Sequence, residues 1–246
     1  MNKNALVRLT VDFFMSALMI LLMAYQVAGE TAHEVLGTAV GVLFIVHAFL
    51  NRRWFSSFYK GRFTLLRALQ NTFIILVLLD TLVVMITGVM ISGTVFAFLN
   101  ITWGVGIARA LHLCSSYWAL VLMSVHVGLH WSMVTGMARS VFGLRAPRPA
   151  RVWTLRLLAL AWAGYGAWAF DHLQVWPFLT LQMQFAFFDD AGDAMVLFRW
   201  ASVMVLFVAA ACWTGRAAQA SSPGRHSACQ TWSKRLLASL PSSVVR

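Results

Sequence analysis

The sequence predicts an all-α integral membrane protein with six transmembrane helices, and three observations carry that prediction. Of its 246 residues, 60% are hydrophobic and only 11% are charged, with a mean hydropathy of +0.75. A soluble domain would carry about 25% charged residues. Six apolar stretches are each long enough to cross roughly 30 Å of hydrocarbon. The basic residues also sort to one side of those stretches. This composition excludes a water-soluble globule and a disordered chain.

The stretches cover residues 9–28, 32–50, 71–91, 108–135, 152–170 and 194–213. The first is long and lacks an A-x-A cleavage site, so it reads as a retained helix rather than a signal peptide. Residues 51–70 are basic and aromatic, with Trp54, Phe55, Phe58, Tyr59 and Phe63, and read as a helix lying in the inner interface. The Arg145-Ala-Pro-Arg-Pro run is a hinge between the fourth and fifth helices. The segment from Asp171 to Asp193, rich in Trp and Phe, is expected on the outer surface. Residues 1–140 then form a four-helix bundle, and 141–215 add two helices and the outer segment. Residues 216–246 form a Ser-rich basic tail expected to be loosely ordered.

Charge sets the topology. Lys and Arg total 19 against 8 acids, giving a net charge of +11. With the N-terminus inside, every basic residue except Arg109 and Arg199 falls on the inner side. Glu30, Glu34, Asp171, Asp189, Asp190 and Asp193 fall outside. The positive-inside rule thus predicts an even number of helices with both termini cytoplasmic, and the expected location is a bacterial cytoplasmic membrane. It explains the charge without nucleic acid. The three cysteines, Cys114, Cys212 and Cys229, form no CxxC, which argues against a disulfide scaffold or zinc site. No CxxCH motif is present for covalent c-type haem.

The histidines point to chemistry. His33, His47, His112, His126 and His130 all lie in the second and fourth helices, and ionisable groups in membrane helices normally face the bundle interior. His33 and His47 are two heptads apart, as are His112 and His126. A bundle seam repeats every 3.5 residues, so both members of each pair point inward, about 21 Å apart along the helix. The two helices run in the same direction. His33 and His112 therefore share an outer level, and His47 and His126 share an inner one. Facing imidazoles can ligate one haem iron from both sides, so two levels imply two haem b groups stacked across the membrane. A zinc or copper ion needs ligands converging on one point, which this spread does not offer. The competing reading of one or two such histidines is hydrogen-bonded helix packing.

Other residues extend the site. His130, four residues after His126, shares its face; it is an alternative inner ligand, a haem-edge hydrogen bonder or part of an inner quinone pocket. Gly37 and Gly41 follow His33 by four and eight residues and offer clearance for a flat macrocycle, although such spacing is also ordinary helix packing. Arg109, one turn outside His112, and Arg52 or Arg53 are candidates for haem propionates; each reads equally as an interfacial or topology-setting arginine. Asp80 is near the middle of the third helix, where an unpaired carboxylate is costly. His172 reads as a surface histidine, and His226 lies in the tail.

The runs GETAHE at 29–34, HAFLNRRW at 47–54, RALHLCSSYW at 109–118 and HVGLHW at 126–131 resemble the flavinylation-associated cytochrome domain family. YGAWAF at 165–170 and QFAFFD at 184–189 resemble that family's C-terminal extension. The resemblance implies a b-type cytochrome passing electrons between quinone or a cytoplasmic donor and a flavin-carrying partner at the outer face. The alternatives are a stand-alone membrane oxidase or reductase acting at the outer haem, and a haem-free transporter or structural subunit. No nucleophile–base pair is apparent, so any catalysis would be quinone redox chemistry.

Overall fold

The computed structural model describes residues 3–58, 64–143, 149–185 and 188–220. The hinge at 144–148, the interfacial residues 59–63 and the tail beyond Ala220 lie outside the described residues. The described residues contain helices and turns but no strand. In chain order the helices are α1 (Lys3–Met23), α2 (Tyr25–Ala28), α3 (Glu30–Leu50), α4 (Arg53–Ser57), α5 (Leu65–Ile91), α6 (Val105–Leu129), α7 (Trp131–Phe142), α8 (Pro149–His172), α9 (Val175–Leu179) and α10 (Asp193–Ala220). A single 3₁₀ turn, Ala97–Leu99, lies between α5 and α6.

Among the described residues five helices, α1, α3, α5, α6 and α10, are long and apolar enough to cross a membrane. Their outward faces carry exposed Ile45 and Phe49 on α3 and Leu79 and Ile86 on α5. That is the surface an apolar solvent requires. The sequence reading counts six spans. The fifth predicted stretch does form a helix, α8, of 24 residues, about 36 Å long. It is less apolar than those five, because its Trp, Tyr and Gly residues dilute the hydropathy and Arg151 and Arg156 charge its first turns.

Two predicted spans are interrupted. The first breaks at Ala24, whose φ of −86° and ψ of 56° leave the helical region, so α2 is a separate turn. The fourth breaks at His130 (φ −99°, ψ 8°), where α6 ends and α7 begins. The predicted interfacial helix is only α4 within the described residues. The segment after Asp171 does not simply lie on the surface. It forms α9, which buries Val175, Phe178 and Leu179. Phe178 stacks on Tyr117 of α6 with centroids 4.3 Å apart, and Trp118 Nε1 donates to the Leu179 carbonyl at 3.0 Å.

Helix α6 separates two very different interiors. On one side Tyr117, Leu120 and Val121 pack against Ala169 of α8, Phe178 of α9 and Val196, Trp200, Val203 and Met204 of α10, forming a dry core. Small residues bring these helices together: a Cβ on Gly128 would stand 2.5 Å from the Val208 carbonyl oxygen and 2.6 Å from Ala211 Cβ of α10. On the other side, α3 packs mainly on α1 and only lightly on α5. No residue of α3 is buried, and a cavity separates the α1–α3 pair from α5 and α6.

The α6–α10 contact yields a stability prediction. Gly128→Val has to push the two backbones apart, with an overpacking cost of about 1–3 kcal/mol. Gly106→Ala, where a Cβ would meet nothing within 4 Å, is expected to leave stability near wild type. Thermal unfolding of the detergent-purified variants checks the contrast; equal midpoints would remove the close packing as a stabilising feature.

Candidate functional site

The cavity beside α6 has a volume of about 1,990 Å³, roughly twice the upper end of ordinary small-molecule sites. It runs between the two ends of the bundle. At one end lie Glu30, Glu34, Ser92, Arg109 and His172; at the other lie Arg8, Asp12, Asn51, Arg53 and Trp54. His33, His47, His112, His126 and His130 all line it, with Gly37, Gly41, Ala119 and Asp80. Most of the lining surface is apolar, and the polar side chains set among it are the groups able to fix a ligand's orientation.

At the Glu34 end, α3 and α6 bring His33 and His112 together. Their ring centroids are 6.3 Å apart and their planes are inclined at 76°. His112 Nδ1 is 3.2 Å from both the Val84 carbonyl and Thr87 Oγ1. A carbonyl only accepts, so Nδ1 carries the proton and the Nε2 lone pair is left free. The Thr87 hydroxyl donates to the Val83 carbonyl at 2.6 Å, leaving its oxygen to accept. Gly88 makes room for this ring, since a Cβ there would approach His112 Cε1 to 3.2 Å. His33 packs edge-on against Tyr25 at 5.1 Å, and its buried Nδ1 lacks a hydrogen-bond partner among the described residues.

The Asp12 end holds three imidazoles rather than two. His47 Nδ1 donates to Asp12 Oδ1 at 2.7 Å, and Asn51 Nδ2 stands 3.4 Å from its Nε2. His47 is within electrostatic reach of both His126 and His130. Those two rings lie 4.6 Å apart at 36°. His130 Nδ1 donates to the His126 carbonyl at 3.0 Å, whereas His126 Nδ1 is buried without a partner among the described residues. Both predicted pairs therefore face the same cavity, and His130 joins the second.

The structure distributes the remaining predicted residues unevenly. Gly37 lines the cavity with open space around its missing Cβ, whereas a Cβ on Gly41 would lie 2.9 Å from Met85 Sδ. Arg109 is exposed at the cavity's Glu34 end. Arg52 is not part of the lining. Its guanidinium donates to the Phe49 carbonyl and stacks over the Phe49 ring at 4.3 Å. Arg8 and Arg53 line the Asp12 end instead, and Arg8 donates to the Leu50 carbonyl at 2.8 Å. Asp80 lies between the two histidine levels, with Oδ2 buried and unpaired among the described residues. No three His, Cys, Asp or Glu side chains converge as a metal site among the described residues.

Two polar assemblies were not read from the sequence. Glu34 accepts from Ser92 Oγ (2.6 Å), Thr94 Oγ1 (2.5 Å) and the backbone amides of Gly93 (2.8 Å), Thr94 (3.0 Å) and Val95 (2.8 Å). The Ser-Gly-Thr run after α5 is the available signal, since successive amides in such a turn form an anion nest. The second assembly closes the cavity mouth. Asp189 pairs with Arg199, whose Nη1 also donates to His172 Nε2 at 2.9 Å. Gln26 and Asp189 exchange side-chain and backbone hydrogen bonds of 2.8 and 2.7 Å. Burial alone would raise the Asp189 carboxyl, but hydrogen bonds from Arg199 and the Ala191 amide hold it below its ordinary value. His172 is thus part of a network rather than an isolated surface ring.

Comparison with protein-family models, curated proteins and solved structures finds no match for this chain.

Both assemblies can be tested by hydrogen exchange. Glu34→Ala should speed exchange at the Gly93, Thr94 and Val95 amides while leaving the α1–α3 contact at Asp12 protected; unchanged exchange would exclude the clamp. The Asp189 carboxyl is depressed in the folded protein, so its stabilisation is present above the unfolded value and is lost as pH falls through the folded one. Protection at the Ala191 amide is expected to hold at pH 5–7 and to fall below about pH 4. Asp189→Ala should abolish that pH step.

Proposed function

We propose that this protein is a di-haem b-type cytochrome that carries electrons across a membrane. The observation that carries the reading is the pair of histidine levels in one continuous apolar cavity. His33 and His112 stand with ring centroids 6.3 Å apart at the wall of that cavity, and they are the residues that would hold one haem iron between them. Metal-ligating histidines usually donate their other ring N–H to a carbonyl or carboxylate. His112 does so to Val84 and His47 to Asp12, whereas Nδ1 of His33 and of His126 has no such partner among the described residues, and at the second level His130 is the other ring that donates, to the His126 carbonyl.

In this reading His33 and His112 hold one haem, and His47 and His126 hold the other, with His130 flanking the second level. Bound haem iron supplies reversible one-electron transfer. The chain's own residues do the rest. Asp12, Val84 and Thr87 fix ring tautomer and orientation. Gly37 and Gly88 leave clearance, and the aliphatic walls keep water out and so tune the potential. Arg8, Arg53 and Arg109 offer cations to propionates. Helix α8, tied to α10 by the Trp162–Ser202 hydrogen bond of 2.8 Å, is the sixth span. The basic Asp12 end faces the cytoplasm of a bacterial cell, and the Glu34 end faces outward. Quinone or a cytoplasmic donor supplies electrons, and a flavin-carrying protein at the outer face exchanges them.

A second reading has its own support. Asp80 has a buried oxygen with no hydrogen-bond partner among the described residues, in the cavity between the levels, as a haem-free proton-moving subunit would require.

A pyridine haemochrome assay on protein purified after expression with ample haem separates the two readings. Two b haems per chain are expected, and a colourless protein would sink the cytochrome reading. His33→Ala or His112→Ala should reduce the content to one haem. His126→Ala should abolish the second haem's signal, and His130→Ala should shift its potential while retaining it. The reverse pattern at these two positions would reassign the ligand.

A further inference from the structure

A second, shallower groove lies between α8 and α10 at the Asp12 end. It has a volume of about 320 Å³ and is lined by Trp153, Arg156, Leu157, Leu160, Trp213 and Arg216. Both helices contribute the same Trp-x-x-Arg spacing, which puts each tryptophan and its arginine on one helix face. All six side chains are exposed. The Arg156 guanidinium stacks over the Trp153 ring at 5.2 Å.

The charge here is uncompensated. Neither arginine forms an ion pair among the described residues. The acids along the chain cluster at the opposite end, apart from Asp80 in mid-helix and Asp12, which is taken by His47. On α10, an apolar run ends at Trp213 and Arg216 follows; on α8, Trp153 and Arg156 precede one. This is the level where tryptophan and arginine meet lipid headgroups. Below it, Leu157 and Leu160 are 62% and 49% exposed, an open apolar track leading into the bilayer.

We propose that this groove binds one anionic phospholipid. The two guanidiniums bracket the headgroup phosphate through charge-assisted hydrogen bonds, the indoles flank the glycerol region, and an acyl chain lies along Leu157 and Leu160. The inference rests on α8 and α10 crossing the membrane and is independent of haem.

The test uses the full chain in detergent, with bound lipid counted by native mass spectrometry. Phosphatidylglycerol is titrated against phosphatidylcholine of the same acyl chains, with inorganic phosphate as a competitor. Wild type and a control carrying Lys3→Gln and Arg139→Gln should each retain one phosphatidylglycerol. Arg156→Gln with Arg216→Gln should weaken it by at least about fivefold, with haem content and elution volume unchanged. If the double variant fails to fold, each single variant is expected to show a smaller loss in the same direction. Equal retention of phosphatidylcholine, or undiminished binding by the variants, would overturn the proposal. Displacement of the lipid by phosphate would overturn it too, by assigning the groove to a free anion.

Discussion

Everything in the cavity depends on α3 being held at its ends rather than along its length. The helix is strongly apolar and buries no residue, and between membrane helices apolar faces gain little by leaving lipid. Polar contacts take over that task. Glu34 gathers five hydrogen bonds from Ser92 to Val95 at one end. At the other end His47 binds Asp12, and Arg8 of α1 binds the Leu50 carbonyl. Charge-assisted bonds of this kind are roughly twice as strong as neutral ones. They fix the helix's position and leave its middle free to stand away from α5 and α6.

Helix α6 is the fixed wall opposite. Its serines satisfy themselves by bonding back along the helix, Ser115 to Leu111 and Ser124 to Leu120, each at 2.6 Å. They therefore add little bulk and require no partner. Gly128 lets α10 approach closely, and Tyr117, Leu120 and Val121 build the packed core on that face. Rigid packing there holds the other face, with His112 and His126, at constant orientation. The same helix thus anchors the molecule and presents its ionisable groups.

Much of this was legible in the sequence, because heptad spacing and hydropathy report local periodicity directly. The matched 14-residue spacings put four histidines in one cavity, and the segregation of charge anticipated which ends of the helices lie together. Less legible were features set by contacts distant along the chain. Thr87 meets His112 from 25 positions away, and no local pattern marks it. The turn of α9 into the core depends on Phe178 finding Tyr117, so a Phe-rich segment resembled a surface layer. The break at His130 interrupts an unbroken apolar pattern, and composition alone does not show it. Arg52 and Arg53 are equivalent by sequence, and only the geometry of Phe49 turns the first away from the cavity.

The hydrogen bonds on the imidazoles bear on which chemistry the cavity serves. A proton relay needs rings that exchange donor and acceptor roles, taking a proton on one nitrogen and releasing it from the other. The Nδ1–H groups of His112 and His130 are held by the carbonyl oxygens of Val84 and His126, which accept hydrogen bonds and take no proton at ordinary pH. Relaying through either ring would first break that bond inside an apolar wall, where an unmade hydrogen bond is expensive. Coordination makes no such demand: it uses the opposite nitrogen and gains from a ring already fixed in tautomer and direction. At His47 the acceptor is the carboxylate of Asp12, which can take a proton, so ligation and proton movement are compatible at this ring. The Asp12 end is thus a place where a proton can move, through the pair that also fastens α3 to α1.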